Sequence, residues 1–139
     1  MISFSTIETK YNFKNRLKIR KWVQSIMEGE VKLFGDISYV LCNDEYLLSM
    51  NNKYLKHDTL TDIITFDYSE NGILAGDIFI SIERVIENAK NFKVSVDEEL
   101  GRVMAHGVLH LSGYKDKKLE DKKLMRSKED YYLKSFPNL

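Results

Sequence analysis

Cysteine and proline are almost missing from this 139-residue chain, which holds one of each, Cys42 and Pro137. A lone cysteine excludes an internal disulfide framework, and Cys42 reads most simply as a small apolar residue in a strand. The only proline sits at the tail, and no repeat or low-complexity linker divides the chain. Its length suits one domain, 1–139, large enough to enclose a sizeable apolar core. Long apolar runs are missing too: none approaches the roughly 20 residues that span a bilayer. The opening "MISFSTIETK" has neither the basic start nor the apolar centre of a signal peptide, so the expected location is the cytoplasm, with no membrane partner. Net charge is zero, from 21 basic and 21 acidic residues, which neither supports nor excludes an anionic partner. Histidine is scarce as well, and two of the three lie in one short stretch.

What is present is periodic. A strand is expected near Ile2–Thr6, then a helix from about Asn12 to Gly29 whose apolar stripe is Ile19, Trp22, Val23, Ile26 and Met27. "DISYVLC" alternates as a strand with Ile37, Tyr39 and Leu41 on one side. Asn43 is placed to cap the next helix, which runs to about Tyr54 and turns Leu47, Met50 and Tyr54 inward. After the polar "KHDTLTD" come two more strands, "IITFDY" and "ILAGDIFIS". A helix from Ile82 is expected to bury Ile82, Val85, Ile86 and Ala89. "NFKVSVD" interrupts, and Asp97, Glu98 and Glu99 open another helix. The last, from about Lys118, has Leu124, Met125, Tyr131 and Tyr132 at helical spacing. The expected fold is α+β: a mixed sheet of about four strands packed with about five helices on one or both faces.

Two basic stretches stand out. "KYNFKNRLKIRK" carries six basic residues and no acid; Lys14, Arg16 and Lys18 are its RNA-binding candidates. "KDKKLEDKKLMRSK" is diluted by Asp116, Glu120 and Asp121. Such runs are more often solvated helix faces than phosphate-binding surfaces.

The chemistry concentrates in "HGVLHLSGYKD". Leu100, Val103, Met104, Val108 and Leu111 form a 3.6-period stripe, so His106 and His110 project one turn apart beside a buried face. Two such imidazoles can ligate one metal ion. Gly113 offers a helix-ending position from which the chain can turn back and bring Asp116 in as an oxygen ligand. Two histidines, a carboxylate and a water make a catalytic rather than a structural zinc site. The competing reading is a hydrogen-bonded pair of histidines beside the core. Metallopeptidases place a glutamate after the first histidine to take the proton from the metal-bound water; here that position is Gly107.

The stretch resembles the HGxLHLxGYDH signature of the YbeY family, bacterial single-metal endoribonucleases, through His106, Gly107, Leu109, His110, Leu111, Gly113 and Tyr114. "MNNKYLKHDTLTDIITFDY" is similar to the family's LNxxYRxxDxPTDVLSF through Asn51, Tyr54, Asp58, Thr61, Asp62 and Phe66. "GDIFIS", with Gly76, Asp77 and Ile78, resembles its GDI strand. The resemblance implies one Zn2+ per chain and single-strand-type cleavage of ribosomal RNA, in 16S 3′-end processing and ribosome maturation or quality control. It implies the small ribosomal subunit as partner, with ribosomal proteins or assembly factors as further ones.

Three departures stand against the family pattern. The third ligand is a histidine in the family and Asp116 here, the arginine after Tyr54 is Leu55, and the proline is Leu60. A cation that meets a charged phosphate must then come from elsewhere, with Lys53, Lys56, His57 and Arg102 as candidates. Asn51, Thr61, Asp62 and Asp77 are expected to support the site. RNA can supply its own 2′-hydroxyl as nucleophile, so Gly107 is compatible with phosphodiester cleavage and speaks against proteolysis. Two alternatives stay open: a non-catalytic RNA-binding assembly factor, and a metallohydrolase with another substrate.

Overall fold

A computed structural model describes residues 1–31, 33–55 and 61–139. Alternating side chains build its sheet. In β2 (Leu33–Cys42) Ile37, Tyr39 and Leu41 point to one face and Val40 and Cys42 to the other, and all five are buried. A strand buried on both sides belongs in a sheet's interior. β2 accordingly runs parallel to β1 (Ile2–Thr6) on one side and to β4 (Ile73–Ser81) on the other. β3 (Ile63–Asp67) closes the far edge antiparallel to β4, giving the order β1-β2-β4-β3.

Among the described residues five helices cover both faces, which makes the fold α+β as expected. α1 (Arg16–Glu30), α3 (Ile82–Phe92), α4 (Val96–Leu111) and α5 (Leu119–Leu133) share the large core with Ile37, Tyr39, Leu41, Ile78 and Ile80. α2 (Asp44–Leu55) covers the opposite face, where Leu47 and Met50 meet Cys42 and Ile64. Two buried hydrogen bonds tie the layers: Tyr39 Oη donates to the Met104 carbonyl at 2.9 Å, and Trp22 Nε1 to that of Tyr132 at 2.9 Å.

Several sequence expectations need correction. α1 begins at Arg16 rather than near Asn12, because Asn15 takes a left-handed conformation and its side chain caps Lys18 N–H. Tyr54, Ile86, Leu124 and Tyr131 are exposed rather than turned inward. In α5 the buried positions are Met125, Glu129 and Tyr132. A carboxylate therefore occupies a place on the core-facing stripe, and its reason lies in the site.

Candidate metal centre

The central element is α4. Ser95 caps its first turn by accepting from Glu98 N–H at 3.0 Å, and Asp97, Glu98 and Glu99 complement the positive end of the helix dipole. It ends at Leu111, and Gly113 then turns the chain with a φ of +112° that suits glycine. Leu100, Val103, Met104, Val108 and Leu111 are buried as the stripe predicts. Gly107 lies where the helix presses on the sheet: a Cβ there would stand 2.9 Å from Ile78 Cγ2 and 3.1 Å from Ile63 Cδ1. The place a peptidase glutamate would occupy is thus filled by the sheet.

The neighbouring stripe of α4, Glu99, Arg102, His106 and His110, lines a cavity of about 480 Å3. Thr61, Asp62, Ile63 and Thr65 close one side of it, and Asn88 and Phe92 of α3 another. Lys122, Met125, Arg126 and Glu129 of α5 complete the wall, and Asp116 enters from the turn after α4.

His106 is held at both ring nitrogens. Its Nδ1 lies 2.7 Å from Glu129 Oε2, and its Nε2 lies 3.1 Å from Asp116 Oδ2. Burial disfavours the imidazolium, but the Glu129 hydrogen bond and the Glu129, Asp116 and Asp62 charges outweigh it and raise the pKa above 6.5. Arg102 in turn donates to Glu129 Oε1 at 3.0 Å and to Asp130 Oδ1 at 2.7 Å. Burial, chiefly, raises the pKa of Asp62, with His106 opposing. Burial again, followed by the Asp62 charge, lifts Glu99 to about 7.

These donors suit a divalent ion of the zinc type. Two ligand atoms at ~2.0–2.1 Å from a tetrahedral zinc stand about 3.3 Å apart, and His106 Nε2 and Asp116 Oδ2 are 3.1 Å apart. A carboxylate on the other nitrogen, here Glu129, is how a ligating histidine is usually oriented. His110 lines the same cavity and is exposed at its rim. Among the described residues no three such side chains already stand in an ion-holding arrangement.

The other sequence candidates are placed as follows. Thr61 and Asp62 line the cavity, and the Thr61 hydroxyl donates to the Ile63 carbonyl at 3.3 Å. Asp77 stands on the sheet face away from it, between residues that face α4, and hydrogen-bonds the Tyr68 hydroxyl. Asn51 is buried in α2, also on that far face. Lys53 lies over the Tyr54 ring, 5.2 Å from its centroid, outside the cavity. Lys56 and His57 fall outside the described residues. Lys14 pairs with Asp97 at 3.6 Å, Arg16 donates to Asn12 Oδ1 at 2.6 Å, and Lys18 reaches the Asn138 carbonyl at 3.5 Å.

Sequence reasoning did not find Glu129, Lys122 or Arg126. Their spacing with Met125 on one face of α5 was the available signal, and the apolar residues Leu124 and Tyr131 obscured it.

An open cavity that gathers imidazole, carboxylate and guanidinium groups on an α+β sheet has the layout of a hydrolase active site. Residues 3–137 match the family described as Endoribonuclease YbeY, and the chain belongs to that family. It is 51% identical over 136 residues to the Endoribonuclease YbeY of Flavobacterium johnsoniae, covering 98% of this chain and 97% of the relative. Against that of Flavobacterium psychrophilum the identity is 54% over 136 residues, covering 98% and 96%. The solution structure of TM1509 from Thermotoga maritima shares the fold, with a TM-score of 0.69, 24% identity and coverage of 98% of this chain and 89% of that one. No helix among the described residues is long and apolar enough to cross a membrane.

Proposed function

We propose that residues 1–139 form one metal-dependent endoribonuclease domain that takes up a single Zn2+ through His106, His110 and Asp116. We place it in the cytoplasm, cutting single-stranded ribosomal RNA during 16S 3′-end processing and quality control of the small subunit, in contact with ribosomal or assembly proteins. The observation that carries this reading is His106 held between Glu129 and Asp116 in a cavity, in a chain of this family.

A bound zinc would polarise a phosphoryl oxygen and lower the pKa of a coordinated water from about 16 towards 7. The chain's own residues do the rest. Glu129 accepts from His106 Nδ1–H and thereby leaves Nε2 facing Asp116. Arg102 orients the Glu129 carboxylate through Oε1 and spends its other contact on Asp130, so its guanidinium positions rather than clamps. Arg126 is freer, 3.9 Å from Asp130 with its side chain 60% exposed, and lines the cavity beside Lys122. These two cations stand in for the arginine replaced by Leu55. The Lys14–Asp97 pair sets the basic start of α1 beside the first turn of α4, where a longer RNA can continue.

Zinc should raise the melting temperature of the wild type, by about 2.7 kcal/mol of stability at 100 times Kd. His110→Ala should lose most of that gain and also lose RNA cleavage. Zinc stabilisation untouched by His110→Ala and by Asp116→Ala would remove the proposed ligand set. Zinc-loaded protein that leaves single-stranded and structured RNA intact would refute the nuclease reading.

Leu55 and the occupied Arg102 favour one second reading, an RNA-binding assembly factor without efficient catalysis. Rescue of a deletion strain by His106→Ala would establish it. A peptidase is disfavoured by the packing of Gly107 against Ile78 and Ile63.

A further inference from the structure

One end of the cavity is not used by the metal chemistry. Glu99 is seven residues before His106, about 10 Å along α4. Asp62 lines the same cavity and is electrostatically coupled to both His106 and Glu99. Asn88 and Phe92, four residues apart on one face of α3, line this cavity too.

Three features there lack an internal purpose. No fully buried side-chain polar atom among the described residues lacks a partner, so a polar group left unbonded here is one that solvent or a ligand can reach. Glu99 is only 4% exposed, and its carboxyl lines the cavity with no side-chain hydrogen bond among the described residues. The Asn88 amide, with a donor and an acceptor to offer, likewise has no side-chain hydrogen bond among the described residues. Phe92 lines the cavity with 57% of its surface exposed.

The charges decide what fits. A phosphate is repelled by Glu99 and Asp62, and a cation is opposed by Arg102 and Arg126, which also act on Glu99. An uncharged planar group escapes both objections. It can lie on an aromatic ring and offer its polar edge to an amide and a carboxyl, the way unpaired bases are read in RNA.

The geometry points to a nucleobase subsite at Phe92, Asn88 and Glu99, which takes an unpaired base flanking the phosphodiester that sits at His106. This rests on the endoribonuclease reading and adds to it a residue set that determines sequence preference. Phe92 supplies the stacking surface, and Asn88 and Glu99 read the base's polar edge.

The test uses one short single-stranded oligoribonucleotide and a series in which each nucleotide near the cut is made abasic in turn. Binding is measured on zinc-free protein and cleavage on zinc-loaded protein. One abasic position should weaken wild-type binding by roughly tenfold or more, within the range one base–aromatic stack supplies. Phe92→Ala and Phe92→Leu should weaken binding of the intact strand similarly and add nothing on that abasic strand. Glu99→Gln should reorder the preference among the four bases at that position. Variants that weaken intact and abasic strands equally would overturn the subsite, as would a wild type indifferent to every abasic position. Base-dependent binding without cleavage would instead refute the nuclease reading and leave the subsite standing. A wild type that binds none of the strands would sink both.

Discussion

Oε2 of Glu129 lies 2.7 Å from Nδ1 of His106, although the two residues are 23 positions apart and belong to different helices. This contact explains why α5 buries a carboxylate on the stripe where an apolar residue is expected. In the proposed ligand set the His106 imidazole needs its second nitrogen fixed, and Glu129 does that from the core side. Glu129→Gln keeps the shape and removes the charge. Zinc affinity, measured by competition with a chromogenic chelator, should fall about 10–100-fold, the usual effect of losing such a partner. Unchanged affinity with unchanged helicity would show that the contact serves packing alone.

Gly107 is fixed by the approach of α4 to the sheet rather than by helix flexibility. Gly107→Ala must displace Ile78 or Ile63, whose atoms would stand 2.9–3.1 Å from the new Cβ. Overpacking of this kind costs about 1–3 kcal/mol, so thermal melting should move down by several degrees. A neutral or stabilising result would mean that the helix–sheet contact is looser than described. Gly107→Glu, the change that would complete a peptidase signature, should yield unfolded protein instead of proteolysis.

A second largely buried carboxylate, Glu30, contributes to acid stability. Glu30 at the end of α1 accepts from Tyr114 Oη at 2.6 Å, from Tyr132 Oη, and from Lys128 Nζ at 3.3 Å. Burial opposes its ionisation, but these donors outweigh burial and hold its pKa below 4.5. A carboxyl with a depressed folded pKa stabilises fully above its unfolded value, and that contribution drains away as pH falls through the folded one. Denaturant midpoints measured from neutral pH down through 4.5 should therefore fall for the wild type, and Glu30→Gln should fall less steeply. Parallel curves for the two proteins would contradict the assignment. Because Tyr114 follows Gly113 directly, the same cluster anchors the turn that carries Asp116.

Local patterns made much of this legible in the chain. Helix α4 was readable because its apolar period, its acidic first turn and its closing glycine all lie within about twenty residues of one another. His106, His110 and Asp116 follow from that one helix and its turn. Glu129, Arg126, Asn88 and Phe92 come to the cavity from other helices, and only the packing of α3 and α5 on α4 brings them there. Asp77 shows the opposite failure: a charge inside an apolar strand marks it as unusual, but strand alternation sends it to the face away from the cavity. Leu124 and Tyr131 suggested the wrong buried face for α5, since the real one gives a place to Glu129 in return for its bond to His106.

The cations that meet the RNA backbone can be identified from the salt dependence of binding. Lys122 and Arg126 line the cavity, whereas Lys14, Arg16 and Lys18 do not. Each phosphate contact on a single strand contributes about 0.7 to the slope of log affinity against log salt, so neutralising Lys122 and Arg126 together should flatten it by about 1.4. With the scissile phosphate at His106 as proposed, the same double variant should slow cleavage, because the charges it loses line that cavity. Neutralising Lys14, Arg16 and Lys18 should also flatten the slope for a long strand, since Lys14 sits beside the first turn of α4. On a strand long enough only for the cavity, that triple variant should cleave at the wild-type rate. If the triple variant instead abolished cleavage of the short strand while the double variant did not, the phosphate would be held by α1 and the cavity cations would have no part in the reaction.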